Sequence, residues 1–228
     1  MNETLIKIFN SREDISSYLF HFTKGSKALD TLYEIICTES LLDLEATGVI
    51  CFTEAPITLL TDMFKIFEKF KDPLFSPYGI AIKKEIIFAL GGRPVIYSLE
   101  EEKIKFDESV HWRFEKYIPN VRDYSWLREW RVQTNKIKLT HENCFIITKS
   151  KSELSVAYDE TDIGDIEFDG SIEDGEPHSY AYAPISRKFK GVSLEEIDEF
   201  NNPSKVKLDS LISNQNFDDK IDICLGSL

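Results

Sequence analysis

The chain has 228 residues and carries 27 basic and 40 acidic side chains, which gives a formal net charge of −13 at pH 7. Its hydrophobic content of 42% and aromatic content of 12% exclude a wholly disordered protein, and this length can bury a core without disulfides or metals. The sequence contains no apolar run of about 18 residues, so we expect no membrane-spanning helix.

The first part of the chain alternates strand-like and helix-like segments. The apolar residues over 18–23 and 49–53 predict two strands, and helical spacing of apolar residues predicts a helix over 27–42. Thr58 is predicted to cap a second helix, whose apolar face continues to Phe70. We expect this apolar face to be core.

Shorter segments follow up to residue 148. Strands are predicted over residues 79–82, 94–97 and 144–148 and at the end of 126–133. Helices are predicted over residues 84–90, which Gly91 and Gly92 terminate, and over 110–117. This mixture of local helices and strands predicts an α+β fold.

The negative charge is concentrated at the end of the chain. Residues 1–150 carry 20 basic and 22 acidic side chains, whereas residues 151–228 carry 7 and 18. We therefore expect a main domain over residues 1–150 and an acidic C-terminal extension over 151–228, either separate or packed on the same domain. A near-neutral domain can approach a polyanion, whereas the extension repels one.

Two features stand out in the extension. The stretch DIEFDGSIEDGE from Asp165 to Glu176 nearly fits a calcium loop, but Glu167 is too long for its third position and helical flanks are missing. We interpret it as an acidic solvent loop. Ser193, Leu194, Glu195 and Glu196 resemble a capping box that opens a short helix.

No metal or common nucleotide-loop pattern is present. The sequence lacks HxxxH, CxxC, GxSxG, GxGxxG and Walker motifs, so no metal site is expected. Because the cysteines are far apart and the N-terminus lacks the apolar stretch of a signal peptide, we expect reduced core thiols and a cytoplasmic location. The cysteines are Cys37, Cys51, Cys144 and Cys224.

Five short clusters, taken in order, carry a resemblance to a known family. They are His21-Phe22-Thr23, CFTEAP at residues 51–56, Tyr78-Gly79-Ile80, RPVIY at residues 93–97 and WLREWRV at residues 126–132. This order resembles the AbiGi-type abortive-infection family. It is also similar, more distantly, to DarT-type ADP-ribosyltransferases, which have an N-terminal HxT and a late Glu that begins a strand. The resemblance covers residues 18–148.

The resemblance implies an ADP-ribosyltransferase-like fold, in which a split, mostly antiparallel sheet is flanked by helices and NAD lies between the two half-sheets. It implies an NAD-dependent effector of phage defence or of a toxin–antitoxin system. NAD is then a substrate, the acceptor is nucleic acid or protein, an antitoxin or regulatory protein is a further partner, and no membrane is involved. The alternatives are an inactive nucleotide- or partner-binding module of the same fold and an NAD hydrolase.

The same resemblance assigns roles to individual residues. Glu129 matches the catalytic carboxylate, which favours positive charge on the ribose and activates the acceptor. NAD-binding roles fall on His21, Phe22, Thr23, Phe52, Thr53, Tyr78, Arg93 and Arg131. Arg93 is assigned only by elimination, because no clear substrate-handling arginine follows the second cluster.

The residues alone leave structural alternatives open for each assignment. The structural alternative for Glu129 is a surface partner of Arg128 or Arg131, and that for His21 is a satisfied core histidine between two phenylalanines. For the aromatic residues it is packing or a turn, and for the arginines it is a solvated or salt-bridged side chain.

Overall fold

The computed structural model contains alternating helices and strands over its first 150 residues. It describes residues 3–12, 14–157, 167–173, 176–186, 188–199, 212–213, 215 and 218–224. The helices are α1 (Glu3–Ser11), α2 (Ala28–Thr38), α3 (Ile57–Phe67), α4 (Lys84–Ala89) and α5 (Leu194–Glu199), with 3₁₀ helices at Glu100–Lys105, Glu108–Arg113, Ser125–Leu127 and Ser152–Ala157.

The strands are short. They are β1 (Tyr18–Phe22), β2 (Ser40–Leu42), β3 (Val49–Thr53), β4 (Gly79–Lys83), β5 (Arg93–Pro94), β6 (Ile96–Ser98), β7 (Phe114–Lys116), β8 (Glu129–Gln133), β9 (Lys136–Lys138), β10 (Cys144–Thr148), β11 (Glu167–Glu173), β12 (Glu176–Ser186), β13 (Gly191–Ser193) and β14 (Asp218–Cys224).

A seven-stranded sheet organises the fold, with the strand order β13-β10-β4-β1-β3-β8-β5. All its neighbours are antiparallel except β10 and β13, which run parallel. Smaller sheets pair β2 with β9, β6 with β7, and β11 and β14 with β12. The predicted α+β class, with a mostly antiparallel sheet flanked by helices, is confirmed.

The sheet is weakly joined at its centre. Strands β1 and β4 pair through five residues, as do β3 and β8. In contrast, β1 and β3 meet in register only at Phe20 and Thr53. The sheet therefore consists of two strand groups, β13-β10-β4-β1 and β3-β8-β5, joined at one residue pair. We call this junction the division of the sheet.

Strand alternation gives the sheet two apolar faces. The Leu19 face packs against α2 and α4 and includes Leu19, Ile50, Phe52, Ile80, Trp130, Ile146, Leu32, Ile36 and Ile87. The Phe20 face packs against α3 and α5 and includes Phe20, Phe22, Ala81, Phe145, Ile147, Leu60, Phe64, Leu194 and Ile197. Helices thus cover both faces. The cluster of the Leu19 face includes side chains from both strand groups, whereas the strand residues in the cluster of the Phe20 face come from β1, β4, β10 and β13 alone.

Two helix predictions are wrong at their ends. Helix α2 ends at Thr38 because Glu39 adopts a left-handed conformation, with φ 48°, and the next residues form β2. Helix α3 begins at Ile57 after Pro56, so Thr58 is not its cap. Its predicted apolar face is also too wide, since Leu59 and Phe70 are exposed.

The segment between residues 93 and 117 also differs from the prediction. The predicted single strand over 94–97 is divided between β5 and β6, which belong to different sheets. The predicted helix over 110–117 is a 3₁₀ helix followed by β7. Pairing with neighbouring strands, which local spacing does not encode, decides both cases.

Part of the acidic extension packs on the main sheet. Strand β13 pairs with β10, and the predicted capping box is present: the Ser193 N–H donates to Glu196 Oε2 at 2.8 Å, and the Glu196 N–H donates to Ser193 Oγ at 3.2 Å. The predicted acidic solvent loop, residues 165–176, instead contains strand β11 and the first residue of β12, which pair antiparallel. Residues 165, 166, 174 and 175 of this stretch lie outside the described residues.

Over the described residues, the structure contains no helix with the length and apolar character needed to cross a membrane.

Gly79 provides a test of the strand packing beside the division. A Cβ at this position would overlap the carbonyl oxygen of His21 and lie 2.9 Å from Phe22 Cδ1. Because backbone cannot move aside cheaply, we expect Gly79→Ala to lower the free energy of unfolding by about 1–3 kcal/mol, measured by urea denaturation. Gly48→Ala serves as a reference for backbone strain without overlap: Gly48 has a φ of 75°, which costs an alanine about 1–2 kcal/mol, and its Cβ meets nothing within 4 Å. Unchanged stability of Gly79→Ala would contradict the packing.

Candidate functional site

The sheet register brings the three motif strands side by side. Glu129, the first residue of β8, lies opposite Thr53 of β3. Thr53 in turn lies opposite Phe20 of β1, the residue before His21. The strands with the first, second and last sequence clusters are therefore neighbours, in the order β1-β3-β8.

A tight turn fixes the start of β8. Arg128 has a φ of 46°, a left-handed conformation that costs a non-glycine residue about 1–2 kcal/mol. The backbone N–H of Glu54 donates to the carbonyls of Leu127 and Arg128 at 3.3 Å, and the Thr53 hydroxyl donates to Leu127 as well. These bonds hold the strained residue directly before the candidate catalytic Glu129.

Arg131 holds the Glu129 carboxylate. Its Nε donates to Glu129 Oε1 at 2.8 Å, and its Nη2 contacts Glu129 Oε2 at 3.4 Å and Glu115 Oε2 at 2.8 Å. Nη1 donates to the carbonyls of Trp112 at 3.2 Å and Phe114 at 2.9 Å. A guanidinium has five N–H groups, so all of them point at these acceptors. Arg131 is salt-bridged in this conformation, and none of these groups is left for a pyrophosphate.

Glu115 continues this charge network. Its Oε1 accepts from Arg122 Nε at 3.3 Å and from Arg122 Nη2 at 2.8 Å. Burial opposes ionisation of Glu115, but the hydrogen bonds from Arg122 and Arg131 and their positive charges lower its pKa below the ordinary value. Glu115 is therefore held as a carboxylate between two guanidinium groups.

His21 lies at the division of the sheet. Its Nδ1 is 2.8 Å from the carbonyl oxygen of Cys51, and its ring meets the Phe52 ring edge-on at 5.8 Å. Burial lowers the pKa of the half-buried imidazole below 6.5, although the bond to Cys51 opposes this shift. The neutral ring donates through Nδ1, which leaves Nε2 as an acceptor. Nε2 forms no hydrogen bond within the described part of the chain.

His21 and Glu129 point to opposite faces of the sheet. His21 alternates with Phe20 and shares the Leu19 face with Phe52, its ring neighbour. Glu129 lies opposite Thr53, which lies opposite Phe20, so Glu129 projects from the Phe20 face. The structure brings the two strands together but does not bring the two side chains into one cleft.

The two candidate threonines serve the backbone. Thr23 is buried, and its hydroxyl is 2.9 Å from the carbonyl oxygens of Ala28 and Tyr78. Thr53 is also buried and donates to Leu127. Both hydroxyl groups therefore stabilise turns in this structure, and their assignment to NAD binding stays a prediction.

The two candidate phenylalanines pack in the core. Phe22 is buried, with its ring 4.8 Å from the Phe64 ring in an edge-on contact. Phe52 is buried in the cluster of the Leu19 face beside Trp130. Neither ring presents an open surface to a ligand.

The side chains of Tyr78 and Arg93 contact residues other than Glu129. The Tyr78 hydroxyl donates to Glu153 Oε1 at 2.8 Å. Burial is the largest cause that raises the pKa of Tyr78, and the hydrogen bond to the Glu153 carboxylate raises it further. Arg93 Nη1 donates to the carbonyl oxygens of Phe88 at 3.0 Å and Gly92 at 2.7 Å, with its guanidinium 4.0 Å above the Phe88 ring. Arg93 thus caps the end of α4.

Tyr97 and Glu115 contact the site but were not predicted. The Tyr97 hydroxyl lies 3.3 Å from the Glu129 backbone N–H and donates to the Tyr124 carbonyl at 3.1 Å. Burial raises the pKa of Tyr97 to about 12. Tyr97 belongs to the fourth sequence cluster, which is a usable signal. Glu115 lies in a segment predicted as helix, and no local pattern marks it.

A groove of about 950 Å³ opens beside the start of β8, a volume within the range of small-molecule sites. Its walls include Tyr18, Lys83, Lys84, Phe88, Trp130, His141, Cys144 and Lys190. Lys84 pairs with Glu54, which also accepts from Trp130 Nε1 at 2.7 Å. Neither His21 nor Glu129 lines this groove.

Within the described ranges, no group of three or more His, Cys, Asp or Glu side chains is placed to hold a metal ion. No family model, curated protein or solved structure matches the chain.

The burial of His21 predicts how it titrates. The unfolded imidazole takes up a proton near pH 6.5, whereas the folded one does so only at lower pH. The stability from this group is therefore present above pH 6.5 and is lost as the pH falls through the folded pKa. We expect an NMR titration, assigned with His21→Gln, to give a pKa below 6.5. We also expect the free energy of unfolding of His21→Gln to change less with pH below pH 6.5 than that of the natural sequence. A pKa at or above 6.5 would contradict the buried, neutral ring.

Proposed function

We propose that this chain is an NAD-dependent ADP-ribosyltransferase-like effector of phage defence or of a toxin–antitoxin system. Its acceptor is nucleic acid or protein, and an antitoxin or regulatory protein is a further partner. The division of the sheet carries the proposal. In the resembled enzymes NAD lies between two half-sheets. Here β1, on one side of the division, carries His21, and β8, the strand next to β3 on the other side, carries Glu129.

The proposed chemistry breaks the nicotinamide–ribose bond. Positive charge develops on the ribose, and the Glu129 carboxylate stabilises it and accepts the proton of the acceptor group. Low exposure of this side chain, 12%, strengthens its interaction with the developing charge. A carboxylate has about four acceptor positions, so the two contacts from Arg131 leave capacity for a ribose hydroxyl. His21 contributes Nε2 as an acceptor for the adenosine-side ribose.

The two faces impose a condition on this proposal. His21 and Glu129 act on one NAD molecule only if the dinucleotide passes through the division of the sheet. Backbone pairing between β1 and β3 is limited to Phe20 and Thr53, so a ligand inserted between these strands would break few backbone hydrogen bonds. His21 bonds to the Cys51 carbonyl across the division, so the ligand must also displace the His21 ring.

One observation favours a second candidate, a nucleotide- or partner-binding module without transfer. Both Glu129 oxygens contact Arg131, and Glu129 lies on the face opposite His21. A carboxylate held in this way is well suited to keep Arg131 and the segment around Glu115 in place. In this candidate, His21 contributes to binding and Glu129 is structural.

The proposal predicts opposite effects for two variants. Glu129→Gln keeps the size of the side chain but removes its charge and its basicity, so we expect transfer to fall about a hundredfold or more. NAD affinity should change much less, because His21 is intact. His21→Ala should weaken NAD binding first. The measurements are calorimetry with NAD and transfer of labelled ADP-ribose to total DNA, RNA and protein.

Glu108→Gln, which alters an exposed acid in a 3₁₀ helix, is the matched control. If the natural sequence neither binds NAD nor labels any acceptor, the enzyme proposal is wrong. Binding without labelling supports the module. Equal labelling by Glu129→Gln and the natural sequence retains the enzyme and discards Glu129. Free ADP-ribose without a labelled macromolecule identifies an NAD hydrolase.

A further inference from the structure

Helix α1 exposes its apolar face to solvent. Leu5, Ile6 and Ile8 lie on one side of this helix and are 58%, 38% and 50% exposed. An isolated helix shorter than about 12 residues is only marginally stable in water, and most helices in proteins are stabilised by packing of an apolar face. Helix α1 has nine residues, so its open apolar face favours packing against a further surface.

A second exposed apolar surface follows the end of α3. The Phe67 ring lies 6.4 Å from the Phe70 ring and 5.6 Å from the Phe75 ring, between ring centroids. The Phe75 ring in turn lies 6.3 Å from the Trp126 ring. Phe70 and Trp126, at the two ends of this row, are 60% and 42% exposed. We call the four rings, with the exposed Ile66 and Leu74 beside them in the sequence, the aromatic ridge.

One contact brings the end of α1 close to the aromatic ridge. Arg128, two residues after Trp126, donates through Nη2 to Asp14 Oδ2 at 3.2 Å and through Nη1 to the Asp14 carbonyl oxygen. Asp14 follows Ser11, the last residue of α1, by three positions. The end of the helix and the Trp126 end of the ridge are therefore neighbours on the surface, and both remain exposed in the single chain.

The two surfaces together have the size of a dimer interface. A half-exposed large apolar side chain presents about 100 Å², and seven exposed apolar side chains lie on α1 and the ridge. Together they present about 700 Å², close to the roughly 800 Å² that each partner buries in a stable complex. The three apolar side chains of α1 present only about 300 Å², too little for two helices to pair with each other alone.

Charge favours a second copy of the chain over a lipid surface. Helices that lie on membranes carry many Lys and Arg residues on the polar face, whereas the charged residues of α1 are Glu3 and Lys7. Residues 1–150 carry 20 basic and 22 acidic side chains. Electrostatic repulsion between two copies is therefore weak where they meet through this part of the chain.

We propose that two copies of this chain form a dimer in which α1 of each copy packs on the aromatic ridge of the other. The arrangement is two-fold symmetric and closed, because each copy contributes one helix and receives one. It covers both apolar surfaces at once. The inference concerns this interface alone and does not depend on the proposed transfer activity.

Sedimentation velocity over a concentration series measures the proposed dimer. We expect the natural sequence to dimerise, and we expect Ile8→Glu or Phe70→Ser to raise the dissociation constant about tenfold or more. Each change removes an apolar anchor, and the first also places a charge in the contact. Ile104→Glu is the matched control, since Ile104 is 84% exposed and lies in the 3₁₀ helix Glu100–Lys105, outside both surfaces. Circular dichroism and thermal unfolding check that each variant is folded.

A mixture of the two variants tests the exchange of helices. The Phe70→Ser copy keeps an intact α1, and the Ile8→Glu copy keeps an intact ridge. The mixed dimer therefore has one complete contact between helix and ridge, whereas each variant by itself has none. We expect the mixture to associate several-fold more tightly than either variant alone. If Ile8→Glu does not fold, Leu5→Gln tests the same face of α1.

The outcomes decide the inference in either direction. Weaker dimers of both variants, restored on mixing and unaffected by Ile104→Glu, support it. A natural sequence that stays monomeric at all concentrations overturns it, and so does a dimer that Ile8→Glu and Phe70→Ser leave unchanged. If Ile8→Glu weakens the dimer but Phe70→Ser does not, and mixing restores nothing, the ridge does not receive the helix and the inference is wrong.

Discussion

The fold depends on apolar packing across the division of the sheet, because β1 and β3 pair there through only one residue pair. Backbone hydrogen bonding joins the two strand groups only around Phe20 and Thr53, so apolar side chains from both groups provide much of the attachment. The cluster of the Leu19 face, for example, includes Leu19 from one group and Ile50 from the other. Each such buried side chain contributes about 1.5–3 kcal/mol, more than the roughly 1 kcal/mol net of a hydrogen bond. This packing tolerates a division without loss of the sheet.

The division also explains the place of His21. Where backbone pairing stops, a carbonyl of β3 is left without a strand partner, and such a group is costly if it is buried alone. The imidazole of His21 donates to this carbonyl at Cys51. The side chain therefore satisfies this carbonyl through Nδ1, while Nε2 forms no hydrogen bond within the described residues. The structural role of His21 is thus compatible with the proposed role in ligand binding.

The charges beside Glu129 are not explained by stability. Buried ion pairs cost desolvation energy that their attraction often only balances, and an apolar cluster would fold at least as well. Arg131 is nevertheless fully satisfied, because Glu129, Glu115 and two backbone carbonyls together accept its five N–H groups. This arrangement agrees with a role in holding Glu129 in one orientation.

Local sequence located much of the fold. Apolar runs and punctuating glycines and prolines gave β1, β3, β4, α4 and β10 nearly at their observed bounds. The capping box that begins α5 was equally visible, because its hydrogen bonds join residues three positions apart. Predictions were wrong where pairing with a distant strand overrides local preference, as for β2 and β7.

The sequence by itself determined which residues form most of the strands, and it predicted that His21 and Glu129 each lie on one. The strand order that makes β1 and β8 near neighbours comes from the tertiary structure. Only the tertiary structure decided which face each side chain takes. Successive residues of a strand alternate between faces, so the relative orientation of His21 and Glu129 depends on the register that joins β1 to β3 and β3 to β8. Register is set by long-range pairing. The contact between Glu115 of β7 and Arg131 of β8, strands of two different sheets, is also long-range, so no local motif records either.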